Sequence, residues 1–573
     1  MRRDKELVSS LAPPARAGVR ATGEAGSEAI SSPVGGLLRR PSTALPAPRV
    51  APLRAPRNDT IIIGAGIAGL SAALHLAERG LKPLVLEADP RFVGGRLAGG
   101  EEVDVNGWKF RLEHGVHGIW SPYRNLQAML ARHSLRPVFV PAQEERWFFR
   151  DRVGVRSASV GSAIRHSVIP APFHYLQLFL RAGFLWILDL RDLARMFHVW
   201  SVLIMAVGVD PFGEDQPLEG QMLGETIGKW SPALRAFFTG LARNGLSTYA
   251  NEIPLAGFLA FLRFYTLLRR DAWAFSYLPG DGGTTVAEPL AERVKSLGGQ
   301  IRLGKRVDSL TFQDGVWTVG CGEESFAASH VILAVDAAAA ESIIKKSFGE
   351  NDLPAPGLQG PVYFPRSLPN AIVRLWFDRR PKPGPEGGMF TGDFVMHNFF
   401  WLERMYVPYR AWSKATGGSA IEMHIYGPQE TLDLTDALLL AETITGFYRA
   451  YPELRGHLIH QHLQRNAAVH TLPSLGPKEQ HPGVRTHWPG LFCAGDWVRD
   501  PLPAFFLERA CATGIKAANE VLLSCRLEPW PLVAYLPPEP FVGWIEKLML
   551  RGRQRIRRQK NKPQSHKGTT LRE

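Results

Sequence analysis

The apolar positions of this chain fall in short unbroken runs that alternate with helical stretches. Thr60-Ile-Ile-Ile63 is β-branched throughout and ends in glycine, the pattern of a short parallel strand buried on both faces. Leu70 to Arg79 is rich in helix formers and stops at Gly80, a good residue just past a helix C-terminus. Pro83-Leu-Val-Leu-Glu87 is a second apolar run, tipped by an acid. The same alternation returns twice downstream. Val286 to Leu297 predicts a helix ending at Gly298-Gly299, with Thr285-x-x-Glu288 as its capping box. Strand-like Gln300-Ile-Arg-Leu303 and a buried strand from Ser329 to Val335 follow. Gly490-Leu-Phe-Cys-Ala-Gly-Asp496 predicts a last buried strand ending at Gly495-Asp496, with a helix from about Phe505 to Ala518.

The first run carries chemistry. Gly64, Gly66 and Gly69 form G-x-G-x-x-G between strand and helix, and Glu87 ends the second strand. In such a βαβ unit the first glycine permits the tight turn, the second lets backbone approach a pyrophosphate, and the third lets helix pack on strand. The helix N-terminus offers unpaired N–H groups and a partial positive charge to the phosphates. The Glu87 carboxylate suits ribose hydroxyls and repels a 2′-phosphate. A dinucleotide site is therefore expected, although this motif alone does not separate FAD from NAD. Arg91-Phe-Val-Gly-Gly-Arg-Leu97 adds a second glycine pair, Gly94 and Gly95, and Arg96, able to close over a pyrophosphate from its other side. There is no second glycine-rich βαβ unit, so no separate NADPH domain is expected.

Between these segments the pattern changes. Tyr175 to Leu188 is apolar but interrupted, and the fourteen residues Met196 to Val209 contain no Asp, Glu, Lys or Arg. Neither reaches the roughly eighteen apolar residues of a spanning helix. They are expected as buried helices of a substrate domain or as a surface that dips into one lipid leaflet. Phe541 to Leu550, followed by Arg551, Arg553, Arg555, Arg557 and Arg558, suits an anionic membrane surface in the same way, with a solvated tail as the alternative.

Charge sharpens this reading. The 573 residues carry a net +13, but residues 1–57 hold ten Lys/Arg against four Asp/Glu, and residues 546–573 hold ten against two. The body between them is close to neutral, which argues against nucleic-acid binding. The leader, rich in Ala, Pro, Ser, Gly and Arg, is expected to be disordered, with an organelle transit peptide as the alternative. Cys321, Cys493, Cys511 and Cys525 form no close metal-ligand pair and read as reduced thiols of a cytoplasmic protein.

Taken with the βαβ unit, the Arg91–Leu97 segment resembles the N-terminal signature of the flavin amine oxidase and carotenoid desaturase superfamily. In that family the double glycine and its Arg lie against FAD. The Ala494-Gly-Asp496 triplet and Leu507-Glu-Arg-Ala-Cys-Ala-Thr-Gly514 resemble its C-terminal FAD signature, with Arg509 where a Gly is usual. Leu112-Glu-His-Gly-Val-His-Gly-Ile-Trp120 and Ala371 to Arg379 resemble the carotenoid desaturase branch more than the amine oxidases.

The resemblance implies FAD as cofactor, with Gly64, Gly66, Gly69, Glu87, Gly94, Gly95, Arg96, Val307, Gly495 and Asp496 as its contacts. It also makes His114 and His117 flavin-proximal, with His117 the better candidate for a proton role. Metal ligation by these two is disfavoured by Gly115 and by the lack of an acid–His partner. The implied fold is α/β: a Rossmann-like FAD domain of the glutathione-reductase type (58–112, 280–345 and 484–525), interleaved with an α+β substrate domain (113–279 and 346–483). The leader spans 1–57, and 526–573 is a basic tail with an amphipathic helical stretch.

The expected activity is oxidation or isomerisation of a long apolar isoprenoid or polyene by hydride transfer to flavin N5. Oxygen or a quinone would be the electron acceptor, and contact with an anionic membrane would be peripheral. A flavin amine oxidase and a non-catalytic FAD-folded lipid carrier are the alternatives. The amine oxidase would commonly need a Lys near N5, and Lys382, Lys414 and Lys478 are poorly placed for it.

Overall fold

The computed structural model describes residues 60–560 apart from 99, 212–217, 219 and 350–360; the leader 1–57 and the end of the basic tail, 561–573, lie outside the described residues. The apolar runs form one parallel sheet. Gln300–Arg302, Leu84–Leu86, Thr60–Ile63, His330–Leu333 and Leu491–Cys493 lie side by side in that order, all parallel. Thr60 pairs with His330 and Ile63 with Leu333, so the glycine turn after Ile63 opens at the carboxyl edge of the sheet. Sheets of this kind bind ligands at that edge.

The helix Ile67–Ala77 is buried on every side, wedged between the sheet and the helix Phe506–Ser524. A Cβ on Gly514 would sit 2.3 Å from the Ala68 carbonyl oxygen, so the glycine sets how closely the two helices cross. Residues 526–535, assigned from sequence to the tail, pack across this helix pair instead. The Trp530 ring lies under the guanidinium groups of Arg79 and Arg132, at 4.1 and 4.5 Å, and its Nε1–H donates to the His75 carbonyl.

A second sheet has seven strands, ordered Leu458–Thr471, Ser367–Phe377, Ser419–Ile425, Asn398–Trp401, Gly387–Gly392, Glu145–Asp151 and Gly154–Ser159. Its neighbours are antiparallel except Gly387–Gly392 beside Glu145–Asp151. Alternate residues of its central strands divide between two environments, as the pleat requires. Ala371, Val373, Leu375, Phe377, Ile421, Met423 and Ile425 enter an apolar core that includes Phe447 of the helix Asp436–Ala450. Asn370, Arg374, Glu422 and His424 occupy the opposite positions, and all four are buried.

The predicted capping box at Thr285 does not form. Residues Gly283–Ala287 make a π-helical turn ahead of Glu288–Ser296, and the Thr285 hydroxyl donates to the Asp281 carbonyl from inside that turn. A five-residue bonding pattern displaced the N-cap from the position the sequence suggested. Val307 lies in the irregular link between Arg302 and Ser309, not in a strand. The two apolar stretches become a 3₁₀ segment, Phe173–Leu180, and the helices Ala182–Ile187 and Leu190–Val207. The helix Pro540–Lys560 packs on the end of the last of these. Met549 meets Gly208, and Arg263 donates to Glu546.

Candidate functional site

One cavity of about 950 Å³ runs from the carboxyl edge of the parallel sheet to the seven-stranded sheet. At the first end its wall is largely backbone. Gly64 has φ +98°, and a Cβ there would meet the Ala334 carbonyl oxygen at 2.7 Å. A Cβ on Gly69 would lie 1.9 Å from the Gly64 oxygen, so Gly69 stands behind the turn and outside the lining. Gly66 differs. An added Cβ there meets nothing within 4 Å, and the residue lines the cavity.

The helix that starts after Gly66 has no side-chain cap, so its first N–H groups remain for an anion. Gly94 and Gly95 cross this turn. The Gly94 N–H donates to the Ala65 carbonyl at 2.8 Å, and a Cβ on Gly95 would stand 3.5 Å from the Gly66 Cα. This space, cleared of side chains and facing free helix N–H groups, fits a pyrophosphate.

The charged residues of that end are already tied. Arg96 donates to Asp496 at 2.6 Å, and both line the cavity. Burial works against the Arg96 charge, but Asp496 and nearby Asp336 hold its pKa above the ordinary arginine value. Glu87 accepts from the Ala65 and Asp89 N–H groups at 2.7 and 2.9 Å, so its carboxylate braces the glycine turn at the cavity's edge. Gly495 donates its N–H to Thr513 at 3.0 Å, which ties the last sheet strand to the Phe506–Ser524 helix. Arg509, the departure from the usual signature, is buried. Its guanidinium donates to the carbonyls of Val498, Asp500, Leu502 and Ala504, fastening the loop that follows Asp496.

The other end is built from side chains. Trp120 packs among Tyr265, Trp273 and Phe275 in tilted and edge-on contacts with ring centroids 4.5–5.0 Å apart, and Phe237 and Phe261 continue the wall. Between the two ends lies a band of histidines. His114 Nε2 and His470 Nε2 are 3.0 Å apart, so one ring donates to the other. Burial pushes His114 down to about 3 and His470 well below its usual range, which leaves this pair neutral at physiological pH. His117 is half-buried at the cavity wall, with Nδ1 3.4 Å from Glu113. Burial pushes the Glu113 carboxyl up to about 7, and it accepts from Tyr406 and from the Gly282 N–H.

Sequence reasoning did not single out the residues behind this band. Arg374 Nε donates to Glu422 Oε2 at 2.6 Å, and both side chains are 1% exposed. Glu422 Oε1 accepts from the Val116 N–H at 2.7 Å and lies 2.6 Å from His424 Nε2, while His424 Nδ1 lies 2.7 Å from the Tyr426 oxygen. Gly115, at φ +146°, makes room for the imidazole, since a Cβ there would stand 2.9 Å from His424 Cε1. The signal available was Glu-x-His-x-Tyr at strand period, with Glu422 and His424 on one face of a strand whose other face is Ile421, Met423 and Ile425, and Tyr426 just past its end.

A parallel sheet with a glycine-cleared edge, closed over by a second glycine pair and an Arg–Asp bridge, defines a flavoprotein oxidoreductase. The chain matches the family of flavin containing amine oxidoreductases over residues 67–522 and belongs to it; it is an FAD-dependent oxidoreductase. It is 26% identical to the carotenoid phi-ring synthase of Streptomyces griseus, over 80% of this chain and 87% of that protein. It is 22% identical to the 15-cis-phytoene desaturase of Arabidopsis thaliana, over 79% of this chain and 78% of the other. Among solved structures, cyclohexylamine oxidase from Brevibacterium oxydans shares the fold with a TM-score of 0.59 at 17% identity, over 82% of this chain and all of that one.

Proposed function

We propose that the chain oxidises or isomerises a long polyene or related isoprenoid. The observation that carries this reading is the cavity itself. It continues from the glycine turns into a wall rich in aromatic side chains, Trp120, Phe237, Phe261, Tyr265, Trp273 and Phe275 among them. The relatives named for carotenoid ring formation and phytoene desaturation support the same class.

When bound, FAD supplies a two-electron oxidant that accepts hydride at N5. The Gly64–Gly69 turn and the helix behind it would receive the pyrophosphate, Glu87 and Val307 the adenosine end, and Arg96 with Asp496 the region between phosphates and ring. The aromatic wall would hold the polyene extended and dry against that ring. His117 is the better placed of the two sequence candidates for moving a proton, because His114 is locked to His470 in neutral form. Oxygen or a quinone would take the electrons away.

An amine substrate finds less support. Lys382, Lys414 and Lys478 are all exposed and none lines the cavity, whose lining includes Lys305 only at the nucleotide end. The deciding experiment is anaerobic bleaching of the bound flavin. A polyene in detergent should reduce it and a primary amine should not; the reverse result replaces this reading with an amine oxidase. Bleaching by neither leaves the lipid carrier.

We also propose peripheral contact with an anionic membrane. Leu180, Trp186, Phe197 and Trp544 are 61–88% exposed on neighbouring helical segments, joined by Phe173 packed between Trp200 and Phe541. Arg551, Arg553 and Arg555 are exposed on the same C-terminal helix. No helix among the described residues is long and apolar enough to cross a bilayer. An apolar face flanked by arginines suits a surface-bound enzyme that draws its substrate from lipid.

A further inference from the structure

The Arg374–Glu422 pair is fully buried, and a buried ion pair contributes little to stability by itself. Burial alone would raise the Glu422 carboxyl, but Arg374 and His424 outweigh it and hold it at about 2. The carboxylate is thus an acceptor only, so the His424 nitrogen that faces it at 2.6 Å, Nε2, carries a proton. That leaves His424 Nδ1 as the ring's acceptor site, 2.7 Å from the Tyr426 oxygen, where the phenol can donate to it. The phenol oxygen also receives the Asn398 amide at 3.3 Å, and Ser247 stands beside it. Ser247, Asn398, His424 and Tyr426 all line the cavity. They form a polar patch in a wall otherwise rich in aromatic side chains.

This is the arrangement of a hydroxyl, an imidazole and a carboxylate in which each group fixes the protonation state of the next. Arg374 locks the far end: its other nitrogens donate to Gln464 at 2.8 Å and to the Glu113 carbonyl at 2.7 Å. We propose that Tyr426, His424 and Glu422 form a proton relay opening on the cavity, which receives the proton a polyene loses when it is dehydrogenated.

The inference rests on the polyene reading above. In that reaction one C–H bond gives up hydride, with its electron pair, to the oxidised flavin. The neighbouring carbon, made acidic by the positive charge left behind, gives up a proton. Its C–H electrons become the new double bond. The proton passes to the Tyr426 oxygen as the phenol's own proton moves to His424 Nδ1, and the resulting imidazolium is held by the Glu422 carboxylate. Tyr426 is the proton acceptor; His424, Glu422 and Arg374 are positioning residues. Other titratable groups near the relay, besides Arg374, are Glu113, His114, His117, His470 and His397, whose Nδ1 already accepts from the Tyr426 N–H at 2.9 Å. The Glu113 carboxyl is engaged by Tyr406, the Gly282 N–H and His117, and the His114–His470 pair is already neutral and mutually bonded.

The test uses the FAD-loaded full chain. Tyr426→Phe should keep flavin content and melting temperature while kcat on a bleaching polyene falls about 10²- to 10⁴-fold, the range expected of a lost acid–base group, with KM nearly unchanged. A separate readout needs no turnover: selective ¹⁵N labelling of histidine should show His424 as the neutral Nε2–H tautomer, with its Nδ1 resonance moving in Tyr426→Phe. An unchanged kcat in the variant, or an Nδ1–H tautomer in the parent protein, overturns the relay. If no polyene bleaches the parent flavin, the substrate reading fails, and the ring spectra alone decide whether the relay exists.

Discussion

The nucleotide end of the cavity keeps its shape because Cβ atoms are missing at Gly64 in its wall and Gly69 behind it, where a Cβ would meet a peptide oxygen, and at Gly94, where it would meet Ala287 and Ala98. At its other end the wall is Trp120, Tyr265, Phe275 and a histidine band propped from behind by Arg374 and Glu422. The first end is fixed by local backbone geometry and serves any ligand with the same phosphates. The second depends on side chains delivered by strands far apart in sequence, and it can be remodelled without disturbing the first. This division lets one fold keep its cofactor while its relatives carry names as different as phi-ring synthase and amine oxidase.

The contrast can be broken most sharply at Gly66. Gly66→Val should yield folded protein without flavin, because a β-branched side chain would fill the space the turn leaves open. Flavin absorbance per chain measures this, and full occupancy would mean the cofactor sits elsewhere. Asp496→Ala should act at the same end but less severely. It leaves the phosphate cradle intact and strands Arg96, so the Kd for FAD should rise roughly tenfold to a hundredfold, the range of one charged hydrogen bond. An unchanged titration curve would confine Asp496 to a structural role.

The other end is sharpened by pH. Glu113, Glu145 and Glu403 are each pushed by burial up to about 7, well above the value of an exposed carboxyl. A carboxyl whose folded pKa is raised stabilises the fold below its unfolded pKa and loses that contribution as pH rises through the folded value. Melting temperature should therefore fall between about pH 5 and pH 8 in part through Glu113, and Glu113→Gln should flatten the fall while leaving FAD content alone. A parallel profile for the variant would show that Glu113 ionises freely in the fold. The smallest effect belongs to the surface. Trp544→Ser should weaken binding to anionic liposomes only severalfold, more visibly at low salt, with activity on detergent-dispersed substrate unchanged. Equal liposome binding by the two proteins would free this face for another explanation.

Sequence exposed the two ends unequally. Gly64-x-Gly66-x-x-Gly69, Gly94-Gly95 and Gly495-Asp496 were readable because each is a compact local motif, although the atoms that exclude a side chain at Gly64 and Gly94 include those of the distant Ala334 and Ala287. The helix Ile67–Ala77 was readable from composition, though its missing amphipathicity made sense only once both sides proved buried. The relay was not. Glu422, His424 and Tyr426 alternate in sequence as the polar face of any half-exposed strand and its exit would, and only the pairing of Arg374 with Glu422 across the sheet distinguishes them from solvent-facing residues. The His114–His470 contact joins residues 356 positions apart, which no local pattern announces. The capping box misled because Thr-x-x-Glu is a local rule, and the chain there forms a wider turn that bonds Thr285 backwards to Asp281.

The stretch after the last FAD helix bears on how this protein can be shortened. Residue 525 looks like the end of the fold in sequence, yet the next ten residues act as a clasp. Asn519 and Trp530 exchange two hydrogen bonds, Asn125 and Val533 exchange two more, and Tyr535 donates to Glu508, which also receives the N–H groups of Asn125 and Leu126. A chain trimmed at 525 would bare the bed of Trp530 and leave Asn125 and Glu508 short of partners, loosening the N-terminus of the helix Arg124–Arg132 next to Tyr123 in the cavity wall. A shortened chain that keeps these bonds must end beyond Tyr535. A fluorophore or affinity handle is best joined past the last turn of the C-terminal helix, where it leaves this clasp shut.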